Sequence, residues 1–181
     1  GHTNLVRHNV RVNFEADSLN SAVFAPDLEA GSDTFNLFVA NVALDMTQKT
    51  GQKCTAIRRV LVPADRAAEL HDLLRDRLSA IKVGNPADES VRMGPVATAQ
   101  QHKDVREGIA RLAAATDAIH GGTGELANPI GGTPGKGYFI APVVRATNDP
   151  IHCVPLNEHE VFGPVTTVGA YDGTADYASR F

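Results

Sequence analysis

At 181 residues, with 43% hydrophobic and 21% charged residues, the chain suits a single soluble globular domain with one sizeable core. The formal charge of −4 is mild and the Lys and Arg residues are scattered, so there is no basic stripe for nucleic acid. No apolar run approaches the roughly 20 residues of a membrane-spanning helix. Neither nucleic acid nor a membrane is expected as a partner, and two cysteines without a secretory leader fit a reducing cytoplasm better than a disulfide-stapled secreted domain.

In chain order, Val10 to Phe14 alternates apolar and polar residues and predicts a strand, broken by Glu15, Ala16, Asp17 and Ser18, which leaves a carboxylate just past a strand end. Ser21 to Phe24 predicts a second strand. Phe35, Phe38, Val39, Val42 and Met46 then recur at helical spacing, which predicts a helix capped by Ser32 or Asp33 and running to about Thr47, with Gly51 as its terminator. Ile57 to Val62 is β-rich and ends at Pro63. Leu70, Leu73, Leu74, Leu78 and Ile81 mark the buried face of a helix begun near Ala64 or Asp65.

Val83 to Pro86 and Met93 to Pro95 are loops, and a helix from about Thr98 places Val105, Ile109 and Leu112 on one face. Asp117 to His120 predicts a short strand. Gly121 to Gly137, with seven glycines and two prolines, predicts an exposed loop or loose hairpin. Tyr138 to Val144 and Val165 to Tyr171 predict strands separated by the turn-like NEHEVFGP. Strands alternating with helices define an α/β domain whose open sheet is largely parallel and flanked by helices.

Cys54 stands between a glycine turn and the Ile57 strand, with Lys53, Arg58 and Arg59 around it. A cysteine is nucleophilic only as thiolate, whose ordinary pKa of about 8.5 must be lowered by cations, amide dipoles or a base. Gly51 permits a sharp turn, Thr55 and Ala56 leave room for a substrate, and Lys53 and Arg58 supply positive charge. Amides at the turn would suit an oxyanion. From local sequence alone the alternative stands beside this reading: a small buried residue opening a strand.

Several motifs resemble those of the aldehyde dehydrogenase superfamily. GQKCTAIRRVLVP resembles its catalytic-cysteine segment, with Arg59 as the trailing arginine. VGNPADESVRMGP resembles its Val-Gly-Asp-Pro to Met-Gly-Pro loop, GYFIAPVV its Gly-Tyr-Phe strand, and EHEVFGPV its Glu-Val/Ile-Phe-Gly-Pro-Val motif, all in family order across nearly the whole chain. The resemblance implies Cys54 as nucleophile, Glu15 as general base, Glu160 as a contact to the nicotinamide ribose and Phe162 as an aromatic packed near the nicotinamide of NAD or NADP. Glu15 departs from the common form, being followed by Ala-Asp-Ser-Leu-Asn where much of the family has Leu-Gly-Gly-Lys. EADSLNSA is similar instead to the branch that oxidises CoA-linked semialdehydes in aromatic-acid catabolism, which includes the dehydrogenase part of the bifunctional phenylacetate-degradation protein and the benzoyl-CoA-pathway semialdehyde dehydrogenase. An aldehyde substrate, CoA-linked in that branch, and homo-oligomerisation of the intact enzyme are what that likeness implies. A CoA-acylating member and a catalytically idle assembly domain remain alternatives.

No strand, phosphate-binding turn and helix with a following acidic residue marks a dinucleotide unit, and Gly121 to Gly137 lacks a P-loop lysine-hydroxyl pair. Residues 1–181 therefore read as a partial catalytic domain without its nucleotide-binding domain, expected to bind NAD(P) poorly and to turn over little by itself. The histidines lack zinc-type spacing. His152 and Cys153, if adjacent on a strand, point to opposite faces.

Overall fold

The computed structural model describes residues 18–181 together with Thr3, Arg7 and His8. The strand expected over Val10 to Phe14 and the carboxylate at Glu15 lie outside the described residues. Among the described residues five strands form one sheet: β1 (Asn20–Val23), β2 (Ile57–Pro63), β3 (Asp117–His120), β4 (Val143–Thr147) and β5 (Val165–Tyr171), in the order β1-β2-β5-β4-β3. β1, β2, β5 and β4 are mutually parallel, and β3 closes the β4 edge antiparallel. Within residues 18–181 three longer helices flank the sheet: α1 (Asp33–Thr47), α2 (Ala67–Ser79) and α3 (Ala99–Ala113). Two short ones, α4 (Val154–Glu158) and α5 (Ala175–Ser179), stand on either side of β5 in the chain.

The helices form where the spacing places them. Ser32 caps α1 by accepting from the Phe35 amide, and Thr98 caps α3 by accepting from the Gln101 amide, each satisfying an amide that the first helical turn leaves unpaired. α2 starts two or three residues later than the sequence suggests, because Ala64–Arg66 form a 3₁₀ turn after Pro63. Phe35, Val39, Val42 and Met46 of α1 and Leu70, Leu74 and Leu78 of α2 pack on one sheet face with Val60, Val62, Val144 and Val168. Val105, Ile109 and Leu112 of α3, with Leu156 of α4, cover the other face at Val143 and Val165. Both faces are thus buried, which is why β2 reads as a run of apolar residues instead of alternating.

Two expectations are corrected. Tyr138 to Ala141 is not strand: the Tyr138 carbonyl accepts from Val96 and the Ala141 amide donates to Gly124, so this stretch pairs with neighbouring loops and the ladder begins only after Pro142, which has no amide to donate. Part of the supposed turn before Gly163 is the short helix α4, with Pro155 at its start, where a proline costs no helical hydrogen bond. The glycine-rich segment carries no named strand. It is pinned at Ile130, whose amide donates to Val83 and whose carbonyl accepts from Asn85.

Phe24, fully buried, meets Phe35 and Phe38 edge-to-face at 5.4 Å, with the Arg66 guanidinium 5.2 Å above its ring. Phe24→Ala is expected to destabilise the fold by about 3–5 kcal/mol, measured by urea unfolding. His71 and His120 are both held below the ordinary imidazole range by burial first and by Arg75 second. Above about pH 6.5 both residues are neutral whether folded or unfolded. Below it the unfolded chain takes up protons that the folded chain resists, so stability falls as pH falls. The melting temperature should drop between about pH 7.5 and pH 5.5, and drop less in a His71→Gln/His120→Gln variant.

Candidate active site

Because β1, β2, β4 and β5 are parallel, the segments that lead into them collect at one edge of the sheet. Ser18 and Leu19 lead into β1, Cys54 to Ala56 into β2, and Glu160 to Pro164 into β5. The register, with Asn20 opposite Ile57 and Arg59 opposite Thr167, brings these three segments side by side.

Cys54 is exposed, whereas Cys153 is buried, and both thiols are free. The Cys54 carbonyl accepts from the Ser18 hydroxyl and from Asn20 Nδ2 at 2.6 Å. The same Asn20 amide reaches the Ala56 carbonyl at 3.2 Å. Upstream of Cys54 the chain does not simply stop its helix at a glycine. Lys49, Thr50 and Gly51 are successively left-handed, with φ of 53°, 57° and 69°. For Lys49 and Thr50 that conformation costs roughly 1–2 kcal/mol each and persists only where surroundings hold it. The Thr50 hydroxyl donates to the Gly94 carbonyl at 3.1 Å, and Gln52 Oε1 accepts from the Ala97 amide at 2.9 Å, so the Met-Gly-Pro loop braces the turn.

Gly51 has no room for a side chain: a Cβ there would lie 2.1 Å from the Gly163 carbonyl oxygen. Gly51→Ala combines that clash with a positive φ and is expected to cost on the order of 3 kcal/mol or more in urea unfolding, with loss of Cys54 reactivity.

The Arg58 guanidinium sits at this crossing, 4% exposed. It donates to the Gly163 carbonyl and to the Gly51 carbonyl, each at 2.8 Å, and more weakly to the Lys53 carbonyl at 3.4 Å. Its Nε and one terminal nitrogen approach Glu160 Oε1 at 3.0 and 2.9 Å, while Glu160 Oε2 accepts from the Ser18 amide at 3.0 Å. Burial pushes the Arg58 guanidinium below its ordinary value, and the hydrogen bond and charge of Glu160 pull it back. Arg59 turns elsewhere: it donates to the Leu19 carbonyl at 2.7 Å and to Asn157 at 3.2 Å, and stacks on Phe181 at 4.6 Å.

The two cations expected to favour a Cys54 thiolate are therefore both neutralised, which corrects the sequence reading. Lys53 is ion-paired with Asp45, whose second oxygen accepts from the Ile57 amide at 2.5 Å, and Arg58 is paired with Glu160. Cys54, Glu160 and Phe162 come to the same sheet edge, and Glu15 lies outside the described residues. Ser18, Asn20, Asp45 and the bridging part played by Arg58 were not found from sequence. A buried arginine opening an apolar strand was the available signal, since such a group requires several partners. His152 and Cys153 do not form a pair: the imidazole is exposed on Asp149, and Cys153 is buried at the head of α4. Among the described residues no cluster of three or more His, Cys, Asp or Glu could hold a metal ion, and no helix is long and apolar enough to cross a membrane.

The sheet order, the left-handed turn before an exposed cysteine and the glutamate-bearing loop ahead of β5 together define an α/β domain that gathers its candidate nucleophile and a buried carboxylate at the entering edge of a largely parallel sheet. Residues 5–180 match the aldehyde dehydrogenase family, and the chain belongs to it. It is 39% identical over 175 residues, 97% of its length and 34% of the relative's, to a 3,4-dehydroadipyl-CoA semialdehyde dehydrogenase from Aromatoleum evansii. Its structure resembles betaine aldehyde dehydrogenase from Staphylococcus aureus crystallised with NAD⁺, with a TM-score of 0.76 and 27% identity, over 91% of this chain and 30% of that one. It also resembles aldehyde dehydrogenase C from Pseudomonas syringae, a cysteine-to-alanine mutant crystallised with NAD⁺ and octanal, with a TM-score of 0.71 and 28% identity, over 90% and 30% of the two chains. The chain thus spans about a third of the length of these relatives.

Proposed function

We propose that the chain supplies the nucleophile and general base of an NAD(P)-dependent aldehyde dehydrogenase acting on a CoA-linked semialdehyde in the cytoplasm. One observation carries the reading: Cys54 is exposed on a braced turn, and its own carbonyl is gripped by Ser18 and Asn20, in the segment that follows Glu15 within a few residues. An idle assembly domain would have no need to hold a cysteine outward on a turn built from two strained non-glycine residues. The CoA-linked substrate is supported by the relative at 39% identity that carries such a semialdehyde in its name.

In this mechanism Cys54 Sγ bonds to the aldehyde carbon, the carbonyl π pair moves to oxygen, and the resulting oxyanion is held by amides of the turn. When bound, a nicotinamide nucleotide supplies the hydride acceptor that turns the thiohemiacetal into a thioester. Water then attacks the thioester carbon, Glu15 takes its proton, and the carbon–sulfur bond breaks to release the acid and restore the thiolate. The presence of Glu15 favours water over CoA as the attacking group.

The two residues assigned to the nucleotide differ in fit. Phe162 is 37% exposed, one side of its ring covered by Arg58 at 5.5 Å, and presents an apolar wall. Glu160 does not fit as placed: its side chain is 5% exposed and both oxygens are already engaged. The choice between NAD and NADP is left to residues other than these two.

Iodoacetamide should label the folded chain at Cys54 and spare Cys153, read by peptide mass spectrometry. Cys54→Ser should abolish semialdehyde oxidation in the full-length enzyme. Glu15→Gln there should still form the thioester but slow its hydrolysis by roughly 10²–10⁴-fold, so that a covalent acyl-enzyme accumulates. Normal turnover by the Cys54→Ser variant overturns the reading.

A further inference from the structure

The Arg58–Glu160 ion pair is buried, with side chains 4% and 5% exposed, and the proposed chemistry makes no use of it. Its hydrogen bonds join three separate segments. Arg58 holds the turn before Cys54 through the Gly51 and Lys53 carbonyls and the loop before β5 through the Gly163 carbonyl. Glu160 holds the start of β1 through the Ser18 amide. Ser18 in turn holds the Cys54 carbonyl, which closes a ring: Cys54 turn, Arg58, Glu160, Ser18 and back to Cys54.

A buried ion pair is poor evidence of added stability, because desolvation offsets the attraction, but it specifies geometry strongly when every donor and acceptor is used. Here Glu160 uses both oxygens, and all three guanidinium nitrogens of Arg58 have partners. The guanidinium also lies where two backbones approach too closely for a side chain, and it satisfies a carbonyl from each. A planar fork can span such divergent acceptors; an ammonium group is a single point of charge and cannot.

We propose that Arg58 and Glu160 are positioning residues for Cys54, acting through this closed ring to fix the turn that presents the thiol before any nucleotide arrives. The proposal rests on the reading of Cys54 as the nucleophile, and it gives Glu160 a task other than contacting a ribose. Any engagement of Glu160 by a nucleotide would have to break its bonds to Arg58 and Ser18, so the ring and the nucleotide compete for one carboxylate.

The test uses the purified chain without nucleotide and measures the rate of Cys54 alkylation by iodoacetamide in Arg58→Gln, Glu160→Gln and the double variant, each checked for a cooperative thermal transition. If the ring positions the thiol, both single variants lose rate in the same direction, by threefold or more, and the double variant loses no more than the worse single one. The amides of residues 51–55 should also exchange at least tenfold faster, while those of Val60 to Val62 do not. If the two residues act only through their charges, the single variants move the rate in opposite directions. That result overturns the proposal, as does a rate within twofold of the parent in both.

Should either glutamine variant fail to fold, Arg58→Lys keeps the charge but not the span. It is expected to lose rate as well, and parental alkylation and exchange in it overturn the proposal. Failure here differs from failure of the catalytic reading, which is decided by turnover of Cys54→Ser.

Discussion

Two backbones cross at Gly51 and Gly163 at a separation that excludes even a methyl group, and the carbonyls at that crossing share one buried guanidinium. The rest of the site follows from this contact. Without Arg58 the two carbonyls and the Glu160 carboxylate would face one another in a buried space with nothing to balance them, a penalty of several kcal/mol. With it, a left-handed run of three residues becomes tolerable, and that run turns the chain from the end of α1 to the exposed Cys54 in the space of a few residues. The motif words on either side of the crossing, Gly-Gln before the cysteine and Phe-Gly-Pro before β5, are therefore two halves of one joint. Gln52 extends it to a third by accepting from the Ala97 amide just past Met-Gly-Pro.

Much of the fold was legible because its signals are local. The caps at Ser32 and Thr98, the apolar faces of α1, α2 and α3, and the β-rich runs at Ile57 and Val165 each depend on spacing within a dozen residues. The failures were equally specific. Tyr138 to Ala141 has strand-like composition, yet its hydrogen bonds go to Val96 and Gly124, partners no local pattern reveals. The α4 helix is a single turn begun at a proline, too short to show a period.

The site was less legible than the fold, for a reason visible in its contacts. Cys54 and Glu160 were found through motif likeness, but what each touches is set by residues far away in sequence: Ser18 for the Cys54 carbonyl, and Ser18 and Arg58 for the Glu160 carboxylate. Charge was the clearest error. Lys53 and Arg58 look like activators when read beside Cys54, and both are neutralised by carboxylates that only the fold brings near, Asp45 across the turn and Glu160 across the sheet edge. A nearby cation in sequence is therefore no guide to the field at a thiol until its counter-ion has been located.

All the chemistry-bearing segments enter the sheet at one rim, ahead of β1, β2 and β5, while the opposite rim, where these strands leave, is held by contacts such as the Tyr171 hydroxyl donating to the Phe24 carbonyl at 2.8 Å. Several residues of hydrogen-bonded ladder separate the two rims along β2 and β5. Connections on the departing side can lengthen, shorten or change sequence with little mechanical echo at the thiol. A single methylene inserted among the entering segments has no such freedom.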